Sequence, residues 1–326
     1  MKKTILIILI LFGLGVGGFF AWKYFFAPKE IYKGVWMPSF GASLIPDSYF
    51  SEGFDISIME PVFADLDKAV EAGINTLAFQ MGYMVNEQGE LSLFPGEKEF
   101  IASFIDEAHA RGIKIWLNPE IILQSAIHRG DGTTRIMPEE LIVNTDLLKN
   151  FELAIVETAK FAEEHDVEIF SPSSEMYVSI DFDTPGRPRS LKLIAEIKPK
   201  IDAVYKGKIC LRGEWPKPEF SEYSCFGPGV GAPRNEEERK KLIDQLDYNI
   251  RVNEKELIMG EIWEGNDWRG TPEEAKRNVR SAVEAVKGKV SGVFILDIGS
   301  IAPRFPGEFE VMIKELYSSF PETVDF

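Results

Sequence analysis

Histidine and cysteine are scarce in this chain: three His and two Cys stand among 326 residues. His109, His128 and His165 leave little room for a His-rich metal centre. Two Cys cannot staple a small scaffold, and a core of this size needs no staples. Basic residues are outnumbered, with 36 Lys and Arg against 52 Asp and Glu and a net charge of −16. Binding to phosphate needs clustered Lys and Arg, so the balance argues against nucleic acid as a partner and against anionic polymers as substrate. There is no low-complexity run. No G-x-G-x-x-G loop follows the first apolar run, where the chain reads WMPSFGASLIP, so a dinucleotide-binding sheet is disfavoured. No cofactor and no metal are expected. What is present, 45% hydrophobic and 27% charged residues, is the composition of a folded protein.

One long hydrophobic run exists. Residues 4–22, TILIILILFGLGVGGFFAW, carry no charge and follow Lys2 and Lys3. Their length is close to the roughly 20 residues that cross a bilayer. No A-x-A-like cleavage site follows; Phe25-Phe26-Ala27 is a poor one. Residues 1–28 are read as an uncleaved signal anchor, a single transmembrane helix, with a cleaved signal peptide as the alternative, and residues 29–326 as the body. Lys2, Lys3 and the amino terminus favour a cytoplasmic N-terminus and an extracellular body held at the cell membrane, against Lys23 and Lys29 on the far side. In that oxidising solvent Cys210 and Cys225 either pair or serve as small core residues.

The body alternates short apolar runs with amphipathic stretches. Eight strands are expected, at 31–36, 75–80, 114–119, 168–173, 208–213, 222–227, 256–261 and 292–297. Their centres are apolar on both faces, as in parallel strands covered on both sides. Helices are expected over 61–72, 97–111, 145–165, 190–204, 235–254, 271–287 and 307–319. Thr271-Pro272-Glu273-Glu274 is a capping box with Pro at the first helical position. The charged run 235–241 suits a helix start, and Gly112 a helix stop. Only the fifth-to-sixth link, WPKPEFSE, is too short and proline-rich for a helix. Eight strands with right-handed crossovers close into a single (β/α)8 barrel.

Chemistry in such barrels sits at the C-terminal strand ends. The residues there are Trp36, then Gln80 and Tyr83, then Trp116, Asn118 and Glu120, then Ser173 to Tyr177. They continue with Arg212, Glu214 and Trp215, then Glu261, Trp263, Glu264 and Trp268, and finally Asp297. All five tryptophans of the body fall at this end. Trp stacks on the apolar face of a sugar while its N–H takes a polar partner, although Trp116 reads better as core. Glu175 and Glu261 follow the fourth and seventh strands, which face each other across the barrel. Two carboxylates flanking a glycosidic bond are the minimum apparatus for its hydrolysis, and the one that acts as acid must be buried or lie near another negative charge. The Gly- and Pro-rich stretch 226–234 reads as a rim loop or a substrate lid.

These residues, with the phrases AGINTLAFQ, AHARGIKIWLNPE and IMGEIWEG, resemble clan A of the glycoside hydrolases over about residues 31–320. The compact form is most similar to family 113, the β-mannanase type. The resemblance implies retention by double displacement, with Glu175 as acid/base and Glu261 as nucleophile. It places Ser174 where relatives carry a sugar-binding Asn, and Gln80 where many carry an Arg that Arg212 could replace. It makes Tyr223 the candidate to hydrogen-bond the nucleophile, and puts Asp297 near the usual place of a Trp. Trp36, Asn118, Tyr177, Trp215, Trp263, Glu264 and Trp268 complete the expected substrate site, and an oligo- or polysaccharide is the expected partner. Two alternatives stay open: a carbohydrate-binding barrel without catalysis, and a metal-dependent hydrolase using Glu120, Glu214 and Asp297.

Overall fold

The computed structural model describes residues 29–36, 66–93, 96–123, 139–172, 186–263, 271–295, 306–321 and 323–324. Eight of its strands form a closed ring. They are β1 Tyr32–Trp36, β2 Thr76–Val85, β3 Lys114–Leu123 and β4 Ile169–Phe170. The ring continues with β5 Lys208–Arg212, β6 Cys225–Gly227, β7 Glu256–Trp263 and β8 Gly292–Ile295. Each strand pairs in parallel with the next, and β8 returns to β1. This is the expected (β/α)8 barrel.

Among the described residues eight α-helices occur, seven of them in the expected intervals; the short Glu139–Asn144 was not expected. They are α1, described over 66–71, α2 Glu97–Ala110, α3 Glu139–Asn144 and α4 Leu147–Glu164. Then come α5 Gly186–Asp202, α6 Glu236–Asn253, α7 Pro272–Val286 and α8 Pro306–Ser318. The capping box is made at both of its bonds, since Thr271 accepts from the Glu274 N–H and the Glu274 carboxylate accepts from the Thr271 N–H. Asn235 caps α6 by accepting from the Glu238 N–H. Gly112, just past α2, takes a φ of 74°. Between β5 and β6 the described chain makes only a single 3₁₀ turn, Pro218–Phe220.

The barrel interior is filled by one residue from each strand: Trp36, Ala78, Trp116, Ile169, Cys210, Cys225, Ile258 and Phe294. Trp116 meets Phe294 edge-on at 4.9 Å and lies 6.0 Å from Trp36. Such rings each bury on the order of 200 Å², about 5 kcal/mol of transfer free energy. The small partners Ala78, Cys210 and Cys225 make room for them. The two cysteines are joined in a disulfide between ladder partners of β5 and β6. Both readings the sequence allowed thus hold, since the paired cysteines also sit in the inner layer.

Four strands differ from expectation as well. Strands β2 and β3 run on together past Gln80 and Pro119 to Val85 and Leu123. Leu91–Leu93 then folds back antiparallel on β2. Gly229–Gly231, expected as loop or lid, is a short strand parallel to the end of β7. Apart from residues 32–320, a second unit pairs Lys29–Glu30 antiparallel with Thr323–Val324. Among the described residues no helix is long and apolar enough to cross a membrane. The expected anchor, 4–22, lies outside them.

Candidate active site

Side chains alternate along a strand, so the residues two positions beyond the inner layer stand above it on the same face. They are Gln80, Asn118, Ser171, Arg212, Gly227 and Gly260, polar or without a side chain. Gln80 stands beside Asn118 in the β2–β3 ladder. The apolar plug thus ends in a polar floor at the C-terminal end of the barrel.

Glu261 breaks this alternation, being three residues beyond Ile258. The β7–β8 register shifts between Met259 and Ile262, and an irregularity of this kind re-aims a side chain. Its carboxylate turns to the Arg212 guanidinium, with Nη2 donating to Oε2 at 3.2 Å. Both residues are buried, at 4% exposure for Arg212 and 6% for Glu261. Three more carboxylates are buried at this end: Glu97 at the start of α2, which accepts from the Gly82 N–H, Glu120 on β3, and Glu214 after β5, which pairs with Lys217 at 2.6 Å. Asn118 is fully buried, its Nδ2 makes only a long contact to the Pro119 carbonyl, and its Oδ1 has no hydrogen-bond partner among the described residues. A buried acceptor of this kind is completed by a donor from elsewhere, such as a ligand hydroxyl.

The strand Gly229–Gly231 lies against this group. A Cβ on Gly229 would sit 3.1 Å from the Trp263 ring and 3.6 Å from the Glu261 Cβ, so glycine lets the two strands close beside the carboxylate.

The expected residues divide accordingly. The structure brings Arg212 and Glu261 into contact and places Gln80 and Asn118 at the same end of the barrel. Trp215 and Trp263 are half-buried and keep exposed surface. Trp36, expected as a sugar platform, is instead core: it is 1% exposed, and one face of its indole is covered by Arg212. Tyr223 is not brought to Glu261. It is fully buried beside Phe220, and its hydroxyl donates to the Ile194 carbonyl of α5. Tyr83 likewise bonds Thr158 on α4, and burial pushes its hydroxyl up to about 12. Glu175, Ser174, Tyr177, Glu264, Trp268 and Asp297 lie outside the described residues. Among the described residues no group of three His, Cys, Asp or Glu is placed to hold a metal ion. A cleft of about 800 Å³ opens elsewhere, between the β2 hairpin and α4, and of the expected strand-end residues only Tyr83 lines it.

The barrel has close structural counterparts. A family 113 β-1,4-mannanase superposes with a TM-score of 0.62 at 15% identity, covering 89% of this chain and 99% of that one. The family 113 β-mannanase of Alicyclobacillus acidocaldarius, solved with ManMIm, gives 0.61 at 14%, covering 89% and 98%. A variant of a GH5_18 protein of Bifidobacterium longum, in complex with Manβ1-4GlcNAc, gives 0.60 at 10%, covering 90% and 79%. The likeness is one of fold. No family model matches the sequence, and no curated protein matches it.

Proposed function

We propose that the chain is a retaining glycoside hydrolase that acts on a neutral β-linked glycan of the β-mannan type. The observation that carries this reading is the Glu261 carboxylate, buried and ion-paired at the C-terminal end of β7 in a (β/α)8 barrel. Mannanases with the same fold favour the substrate class. In this reading Glu261 attacks the anomeric carbon as Glu175 protonates the departing glycosidic oxygen. Glu175 then takes a proton from water, which displaces Glu261 from the glycosyl ester with net retention. Arg212 holds the nucleophile's carboxylate in place before attack. Trp215 and Trp263 offer ring faces to neighbouring sugars. The Asn118 Oδ1 accepts from a sugar hydroxyl.

The test is hydrolysis of a panel of soluble β-1,4-mannan, glucan and xylan oligosaccharides. Wild type should release reducing ends from at least one of them. Glu175→Gln and Glu261→Gln should fold and bind but lose at least about 1,000-fold in turnover. Full activity in either variant defeats the assignment. Binding without hydrolysis by wild type would instead mark a carbohydrate-binding barrel. We further propose that residues 4–22 anchor the body outside the cell. A disulfide inside the barrel suits an oxidising compartment. Resistance of the native chain to alkaline extraction from membranes tests the anchor.

A further inference from the structure

Trp36 touches two parts of the Glu261 neighbourhood at once. Its indole N–H donates to the Gly260 carbonyl at 2.7 Å, one residue before Glu261. The face of its ring carries the Arg212 guanidinium, whose Cζ lies 3.4 Å from the ring centroid. Arg212 in turn reaches the Glu261 Oε2. The root of Arg212 is fixed as well. Its backbone N–H donates to Ser171 Oγ at 2.8 Å, and the Ser171 hydroxyl donates to the Cys210 carbonyl. Cys210 itself is tied to β6 by the disulfide.

A planar guanidinium laid on an aromatic face keeps one orientation, which an ammonium group would not. This one is buried, so solvent and salt screen its attraction for the carboxylate less than they would at the surface. The surroundings need that charge. Glu120, Glu214 and Glu261 are all buried at this end of the barrel, and Lys217 pairs with Glu214. A ring used in this way has no face left for a sugar.

We propose that Trp36 and Arg212 are a positioning pair for the Glu261 carboxylate: the indole fixes the guanidinium by its face and strand β7 by its N–H, and the guanidinium fixes the carboxylate. This rests on the reading of Glu261 as nucleophile. It assigns Trp36 to turnover rather than to substrate affinity, unlike Trp215 and Trp263.

The full chain is assayed with β-1,4-mannohexaose, following release of reducing ends. Arg212→Ala should lower kcat on the order of 100-fold, with KM within about threefold. Free guanidinium at tens of millimolar should restore about tenfold of that loss, whereas tetramethylammonium should not. Arg212→Lys and Trp36→Phe should each lose about tenfold in kcat with KM unchanged, because the first drops the planar fork and the second the N–H. The last two variants keep charge or ring, so they stand as the test where Arg212→Ala does not fold. Unchanged kcat in folded Arg212→Lys and Trp36→Phe overturns the pair, as does a loss in Arg212→Ala that appears only in KM or resists guanidinium. Glu261→Ala separates the two claims. If it stays active, the nucleophile assignment fails and the pair fails with it. If it is inactive and azide restores turnover, the nucleophile stands and the Arg212 and Trp36 variants alone decide.

Discussion

The fifth β/α unit has no helix to hold it, and β6 is only three residues long. The Cys210–Cys225 disulfide spans this seam and closes a loop of 15 residues in sequence separation. Loop closure of that length removes about 3 kcal/mol of chain entropy from the unfolded state. Unfolding of about 290 residues carries an entropy of roughly 0.6 kcal/mol per kelvin, so the bond is worth about 5 °C in midpoint. Each Cys→Ala change also deletes a buried sulfur from the inner layer, costing about 1 kcal/mol. Cys210→Ala and Cys225→Ala should therefore each cost about 4 kcal/mol, and the double variant about 5. The double falls about 3 kcal/mol short of the summed singles, because the bond can be lost only once. Chemical denaturation of the four proteins without reductant measures this cycle. Thiol titration of denatured wild type should find no free thiol. Additive losses, or two titratable thiols, would refute the reasoning.

Other consequences follow from contacts elsewhere. Placing a Val side chain at Gly229, where an added Cβ would itself lie 3.8 Å from the Glu261 Oε2, should abolish turnover while Gly229→Ala keeps part of it; equal activity of the two refutes the close fit. The Tyr317 hydroxyl is fully buried and is shared between the Gly34 and Val293 carbonyls of β1 and β8. Tyr317→Phe should cost about 1 kcal/mol, read as a lower urea midpoint at unchanged slope. The hydrogen bond to Glu168 holds the His109 imidazole above its ordinary value of 6.5. A raised folded value means the pair stabilises fully below that ordinary value and fades as pH rises through the folded one. The midpoint deficit of His109→Gln should thus be larger at about pH 5.5 than at about pH 9, and a deficit that grows with pH contradicts the pairing.

The barrel was legible because each of its strands is buried on both faces and so reads as an uninterrupted apolar run. Its edges were less so. Gln80 and Pro119 look like strand ends, but the two strands continue side by side, where one's neighbour supplies the pairing that composition does not announce. Gly229–Gly231 has loop composition and becomes a strand only because the end of β7 lies beside it. At the site, Glu261 and Arg212 could be found from their place after apolar runs. The bulge that brings them together could not, since it belongs to the β7–β8 register. Trp36 shows the limit most clearly. A Trp ending a strand reads equally as platform or as plug, and the choice depends on what covers its face, a side chain 176 positions away in sequence on β5. Tyr223 fails for a local reason: β6 begins only at Cys225, so strand alternation does not extend back to it.

Strands β5 and β7 are joined by charge at both ends, across the short β6. At the N-terminal end Lys208 meets Glu256 at 2.6 Å, both partly exposed, with the Lys208 ammonium 4.8 Å from the centre of the Tyr32 ring. A pair placed like this contributes at most about 1 kcal/mol and costs little to keep. At the C-terminal end Arg212 meets Glu261 with almost no solvent. There the desolvation of two ions rivals their attraction, and a well-packed apolar pair would often hold the barrel at least as firmly. Stability alone therefore accounts for the lower pair and not for the upper one. The upper pair stands at the barrel end where βα loops gather, the end that also holds the orphan oxygen of Asn118 and the half-exposed Trp215 and Trp263. A buried carboxylate kept at that cost, at the end of the barrel suited to chemistry, supports the role proposed for Glu261.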